Sequence, residues 1–388
     1  MTRRQLLIIL IALAIVGTAG LILVKRGKET WAVREAKAGD KVLPDFRYND
    51  VAAIRIKGAT EFNIVQHEGV WRVPERNNYP ANYQQIRNLL FKIREIKVVQ
   101  SEHVGPSQLP RVELAASVEA ADVRRRNGDE RENPPPHVVG YDPANSGRHQ
   151  GTLIEFKDDQ GKLLDSLLLG KMHLRHEEGS VPRGLHGLFD GRYILRPADP
   201  ENVLLISDDL AIAAPEPGAW LSREFFKIEN VQSVSLLSSE PGHSWSISRD
   251  DESRPWELMD RKPDGSEVLD ASVASEIAEM FRFLTFADVV PKGAPSDIKK
   301  PTALTVMTFD HFAYTLKIGA RGENGNYSLA ISVSADESKT GENRMLREKL
   351  AREKTLAQWV YIVEPQIIEV LHRDRARLLE KKSLAGAN

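Results

Sequence analysis

The chain has 388 residues, of which 41% are hydrophobic and 28% charged, enough length for two domains that each bury a core. Beyond residue 28 it carries 48 Lys and Arg (five of the 53 lie before) against 55 Asp and Glu, a net charge of −7; bulk nucleic-acid binding, which runs on basic surface, is disfavoured. It has no cysteine, which excludes disulfides and thiol chemistry and is compatible with either side of a membrane.

The first feature is Leu6 to Val24, LLIILIALAIVGTAGLILV, an uncharged run of 19 residues. As a helix it spans roughly 28 Å, close to a bilayer core. A cleaved signal peptide is the rival reading, but its apolar region is usually shorter, about 7–15 residues. Here four apolar residues follow the small Thr18-Ala19-Gly20 before Lys25. The run therefore reads as an uncleaved transmembrane anchor. Flanking charges leave its orientation open, since Arg3, Arg4 and the start amine face Lys25, Arg26 and Lys28. Residues 1–28 are read as stub and anchor, and 29–45 as a polar linker.

From Phe46 the chain repeats itself. FRYNDVAAIRI (Phe46 to Ile56) returns as FKIENVQSVSL (Phe226 to Leu236) at an offset of 180 residues without a gap. Phe46 aligns with Phe226, Val51 with Val231, and Ile54 and Ile56 with Val234 and Leu236. Two repeats are drawn from this, 46–225 and 226–388.

In the first repeat, Val51 to Lys57, Phe62 to Gln66 and Gly69 to Val73 read as strands, with a turn at Glu68-Gly69. Asn77-Asn78-Tyr79-Pro80 stops the third. A helix follows over about Asn82 to Ile96: Ile86, Leu89, Leu90 and Ile93 share one face, and Asn82 is placed to cap it. The second repeat has Trp256, a turn at Pro263-Asp264-Gly265, and a helix near Ala271 to Phe286 carrying Ile277, Met280, Phe281 and Leu284, with Asp270 as cap.

Ser101 to Gln150, with Arg124-Arg125-Arg126 and Pro134-Pro135-Pro136, reads as a long excursion. Strands resume at Thr152 to Phe156 and Leu163 to Leu169, matched by Ala303 to Phe309 and Phe312 to Ile318. Gly191-Arg192-Tyr193 and Gly325-Asn326-Tyr327 begin another pair, and Val203 to Ile206 matches Val360 to Val363. The second repeat adds Glu342 to Lys354, read as a solvated helix, and the tail Glu369 to Lys382 is helical by composition. Each repeat thus comprises about three strands, a helix and four further strands. The fold class is α+β, with mainly antiparallel sheet behind an N-terminal transmembrane helix.

The anchor, the strand ending in GVWRV, YPANYQQIRNLLFKIREIKVV, and DDQGKLLDSLLLG followed by GRYILRPAD together resemble the bacterial DUF4340 family over nearly the whole chain. The resemblance implies a membrane-anchored protein with its bulk outside the cytoplasm, often encoded beside an ABC-type transporter and a gliding-motility-like auxiliary subunit. The family has no established activity, so it supplies no catalytic residues. Asn82 stands where many members have Asp, which touches a helix cap rather than chemistry.

The candidate metal cluster is His173, His176 and His186 with Glu177 and Glu178. Zinc needs several donors converging on one ion; this spacing matches no H-E-x-x-H pattern, the stretch reads as loop, and the second repeat lacks these histidines. Asp158-Asp159, Asp208-Asp209 and Asp250-Asp251 lie at strand ends, where Asp forms turns more often than it does acid–base work. Trp71 and Trp256 are able to stack on sugars, but their repeated position favours packing. Arg124 to Arg126 read as solvated. No catalytic, cofactor or metal residue is assigned. The expectation is a non-enzymatic accessory or scaffold protein of the cell envelope, in the cytoplasmic membrane with its bulk in the periplasm, beside an ABC-type permease or its auxiliary subunit. The alternative is an envelope hydrolase or polysaccharide-binding protein with a site between the repeats.

Overall fold

A computed structural model of the chain describes residues 37–114, 151–175, 188–238, 243–262, 267–294, 298, 301–341, 343–371 and 373–380. Strands β1 (Ala53–Lys57), β2 (Glu61–His67), β3 (Val70–Val73) and β4 (Tyr79–Pro80) precede helix α1 (Tyr83–Glu95). Then come β5 (Val98–His103), β6 (Thr152–Lys157), β7 (Leu163–Arg175), β8 (Leu188–Arg196) and β9 (Asp199–Ile206). Next are β10 (Val231–Leu237), β11 (Trp245–Ser248), β12 (Glu257–Leu258), helix α2 (Ala271–Met280), β13 (Asp288–Val289), β14 (Thr302–Thr308), β15 (Phe312–Arg321) and β16 (Tyr327–Ala335). Helices α3 (Glu337–Thr340) and α4 (Arg344–Leu356), strand β17 (Val360–Val363) and helix α5 (Pro365–Leu371) complete the series.

The fold is α+β, with two antiparallel sheets and few helices. One sheet runs β4-β3-β2-β1-β6-β7-β8-β9-β5 and the other β12-β11-β10-β14-β15-β16-β17-β13. Apart from β4 the two orders are the same, so the duplicated sequence returns as a duplicated strand order. Among the described residues no helix is long and apolar enough to cross a membrane; Leu6 to Val24 lies outside them.

Spatially the chain divides into two compact units, Met1–Val51 with Ile56–Ala59 and Leu89–Ala211, and Ala52–Arg55 with Thr60–Asn88 and Ile212–Asn388. Each is considered over its described residues.

In the first unit, β6 to β9 carry apolar residues on both faces, which is why SLLLG and VLLI read as continuous hydrophobic runs. Leu168, Leu195, Val203 and Leu114 form one cluster, joined by Leu109, Val112 and Tyr193. The segment before Leu114 lies directly on the sheet. A Cβ at Gly170 would collide with the Val112 carbonyl and the Leu114 side chain, so glycine is required there by close approach. Val42 and Leu43, at the end of the polar linker, are buried.

In the second unit, the β2–β3 turn places Glu68 and Gly69 at φ 51° and 79°, the pair of left-handed residues a tight hairpin needs. The YPAN stretch has dense connections here. Ala81 bridges Leu221, and the Asn82 N–H donates to Trp220 O at 2.7 Å. The Tyr79 hydroxyl donates to Glu224 O at 3.1 Å. The Tyr79 ring meets Trp359 edge-on with centroids 4.8 Å apart, and Phe286 at 5.6 Å. Burial pushes the Tyr79 phenol up to about 12.

Both caps form. Asn82 Oδ1 accepts from Gln85 N, and Asp270 accepts from Ser272 N and Val273 N. Ile86, Leu89, Leu90 and Ile93 are all buried.

Several expectations are corrected. Among the described residues five strands follow each helix rather than four, because β5 and β13 were not separated from their surroundings; β5 lies at the end of its sheet and β13 has two residues. The second helix ends at Met280 and continues as a 3-10 turn, Phe281–Phe283. Strand β7 extends through Arg175, paired with β8, so His173 lies on a strand and not in a loop. Strand β8 begins at Leu188, ahead of Gly191. Helix α4 is not wholly solvated, since Glu353 and Leu356 are buried. The tail is α5, then a 3-10 turn at Arg375–Leu378 and a bridge from Leu379 to Leu269. Pro134 to Pro136 and Pro263 to Gly265 lie outside the described residues.

Candidate functional site

The first unit contains a small cleft of about 140 Å³ lined by Gln100, Glu102, His173, Tyr193, Val203 and Leu205. Pairing brings these together from four strands. Gln100 stands opposite Leu205 and Glu102 opposite Val203 across β5–β9. Tyr193 stands opposite Leu205 across β8–β9, and His173 opposite Gly191 across β7–β8. Alternation of side chains does the rest, since residues two apart on a strand share a face.

Val203 and Leu205 form an apolar floor. The Gln100 amide donates to Glu102 Oε1 at 2.5 Å and fixes that carboxylate. The His173 and Tyr193 rings meet edge to face at 5.5 Å. His173 Nδ1 is buried and makes no hydrogen bond; the Asp190 carboxylate stands 3.6 Å from it, an ion-pair approach rather than a hydrogen bond. Burial, and then the negative charge of Glu102, raise the Tyr193 pKa above the ordinary phenol value. The phenol thus stays a neutral hydroxyl.

The second unit has a larger, polar hollow of about 400 Å³ at Glu229, Asn230, Arg249, Glu252, Trp256 and Arg282. Its basic groups are committed. Arg249 lies over the Trp256 ring at 4.7 Å and donates to Val231 O and Glu252 O. Arg282 pairs with Glu279 at 3.0 Å.

Among the described residues no group of three His, Cys, Asp or Glu side chains is arranged to hold a metal. His173 lies in the cleft; His176, His186, Glu177 and Glu178 lie outside the described residues, as do Arg124 to Arg126. The aspartate pairs serve local structure. Asp158 accepts from the backbone N–H groups of Gln160 and Lys162, and Asp251 from Ser253. Asp208 pairs with Lys92 at 2.7 Å. Burial opposes its ionisation, but the bonds from Lys92 and the Leu210 N–H outweigh this and hold its pKa below the usual carboxylate value. Trp71 and Trp256 are buried, at 6% and 8% exposed.

Sequence reasoning found His173 but missed Gln100, Glu102 and Tyr193. Gln100 and Glu102 precede His173 and Tyr193 by 71 to 93 residues, and only the pairing of β5 with β9 reveals the group.

The model of the family described as a domain of unknown function (DUF4340) matches residues 71–305, more than half of the chain. No curated protein and no solved structure matches it.

Proposed function

The chain belongs to the DUF4340 family, and from that premise we propose that it is a membrane-anchored accessory protein of the cell envelope that works by association. The observation that carries this reading is β5, a six-residue strand at the end of the first sheet. An edge strand presents unpaired backbone donors and acceptors, a template for an added strand from a partner. Among the described residues the neighbouring segment covers its start, where Gly39 N–H donates to Val98 O and Lys41 bridges Lys97.

The uncharged run Leu6 to Val24 supports a single-pass anchor, and the family resemblance is the ground for a bulk that faces the periplasm. An anchor raises the effective concentration of weak contacts with other membrane proteins. The partner proposed is an ABC-type permease or its auxiliary subunit, on the family's gene neighbourhood. A polysaccharide-binding or hydrolytic role has less support, because Arg249 covers the Trp256 ring.

Two experiments test this. Cross-linking in native membranes followed by mass spectrometry should recover a permease or auxiliary subunit; recovery of the chain alone refutes association. Protease added to spheroplasts should digest the body while cytoplasmic markers survive, and protection of the body refutes the topology.

A further inference from the structure

The walls of the cleft in the first unit are chemically one-sided. Glu102 is a carboxylate, the Tyr193 ring offers an electron-rich face, and none of the six lining residues is Lys or Arg. A second carboxylate, Asp190, stands behind the His173 imidazole at 3.6 Å. Gln100 turns its amide N–H to Glu102, which leaves its oxygen as an acceptor. Such a site attracts a cation and repels an anion. The Val203 and Leu205 floor suits the methylene stem of a long basic side chain, whose head stays among the polar groups.

The cleft also adjoins the outer edge of β5, to which no described strand is paired beyond Val98. A strand added to β5 would place its side chains about 4.5–5.5 Å from the β5 residues opposite them. Glu102 and Gln100 are then the nearest same-face neighbours of the incoming chain. A basic residue there reaches both the carboxylate and the tyrosine ring, where an ion pair and a cation–π contact act together.

We propose that the cleft receives one Lys or Arg side chain from an extended segment of the partner, which adds to β5 as a further strand. This rests on the association reading above. It predicts a partner segment with a basic residue flanked by strand-forming ones.

The test uses the purified full-length chain and three short fluorescent peptides, flanked by valine and threonine, with a central arginine, lysine or citrulline. The arginine and lysine peptides should bind saturably, and the citrulline peptide at least about tenfold more weakly, a difference of about 1.4 kcal/mol. Glu102→Gln should weaken the arginine peptide by a similar factor and leave the citrulline peptide unchanged. Glu102 is exposed, so this variant keeps its fold, which an unchanged thermal melt verifies. Equal binding of all three peptides, no saturable binding, or an arginine affinity unaffected by Glu102→Gln would overturn the proposal. So would zinc alone raising the melting temperature of the wild type but not of the variant, which marks a metal site. Cross-linking in membranes separates the two readings. A partner still captured by Glu102→Gln at wild-type yield keeps association and overturns this docking site, whereas peptide binding without any captured partner refutes association alone.

Discussion

Tyr314→Phe offers a sharp test of how α4 is held. Glu353 of α4 is fully buried, as is Tyr314 of β15. The tyrosine hydroxyl donates to Glu353 Oε2 at 2.7 Å, and the Lys227 N–H donates to Oε1 at 3.1 Å. Burial raises the Glu353 pKa above its ordinary value, and these two bonds only partly offset it. Removing the hydroxyl deletes a bond to a charged acceptor, a loss of about 1.5–3 kcal/mol while the carboxylate is ionised. Once the carboxyl is protonated the lost bond is a neutral one, of about 0.5–1.5 kcal/mol.

The sign follows by linkage. A carboxyl with a raised folded pKa contributes stability that is fully present below its unfolded value and lost as pH rises through the folded value. Tyr314→Phe pushes the folded pKa higher still, so the deficit of the variant grows with pH across that window. Denaturant melts of wild type and variant between about pH 4 and 8 measure it. A deficit that stays flat, or that is larger at low pH, refutes the reasoning. Glu353→Gln should flatten the wild-type pH dependence over the same range.

Leu90→Ala should cost roughly 2–5 kcal/mol and Phe281→Ala roughly 3–5, read by the same melts, while exposed Arg87→Ala should stay within about 0.5. Asp270→Ala removes the N-cap of α2 and should cost about 0.5–2 kcal/mol; an unchanged melt would show that the cap is idle. Arg375 grips Glu267 through Nη2 at 2.8 Å and, with the Lys262 N–H, holds its pKa down to about 2. That contribution is present above the unfolded carboxylate value and lost as pH falls toward about 2. Arg375→Gln should therefore reduce acid resistance, read as a higher midpoint of acid unfolding.

Local order was legible where one pattern decides it. The β2–β3 hairpin, the buried face of α1 and both helix caps follow from alternation, 3.6-residue periodicity and side chains that accept backbone N–H groups. The edge strand β5 was invisible because edges are polar on both faces; its residues Gln100, Glu102 and His103 are exposed. Glu353 looked like solvent-facing charge in a charged helix, and its burial is made tolerable by Tyr314, 39 residues away, and by the Lys227 N–H, 126 residues away. The cleft failed for a related reason. Its polar residues are unremarkable singly, and a sequence does not show that Gln100 and Tyr193 flank Leu205 from opposite sides of β9. The YPAN stretch carried a family resemblance but no reason for it; the bonds of Tyr79 to Asn82 with Trp220, Leu221 and Glu224 supply one.

The strand order has a consequence for biosynthesis. Strand β5 leaves the ribosome directly after α1, yet its sheet neighbour is β9, where Val98 meets Ile206. Translation at about 5–20 residues per second separates the two by ~5–20 s for roughly 100 residues. During that interval the only described partner β5 can have is the Gly39 to Lys41 segment, which meets it at Val98 alone. The second sheet imposes a shorter wait of the same kind on β13, whose neighbour is β17. Each half of the nascent chain is thus closed by a strand made early and seated last, and long-range pairing of this kind slows folding. Residues 98–103 are then the most exposed to mispairing in a crowded compartment, and holding them open until β9 arrives is work suited to a chaperone.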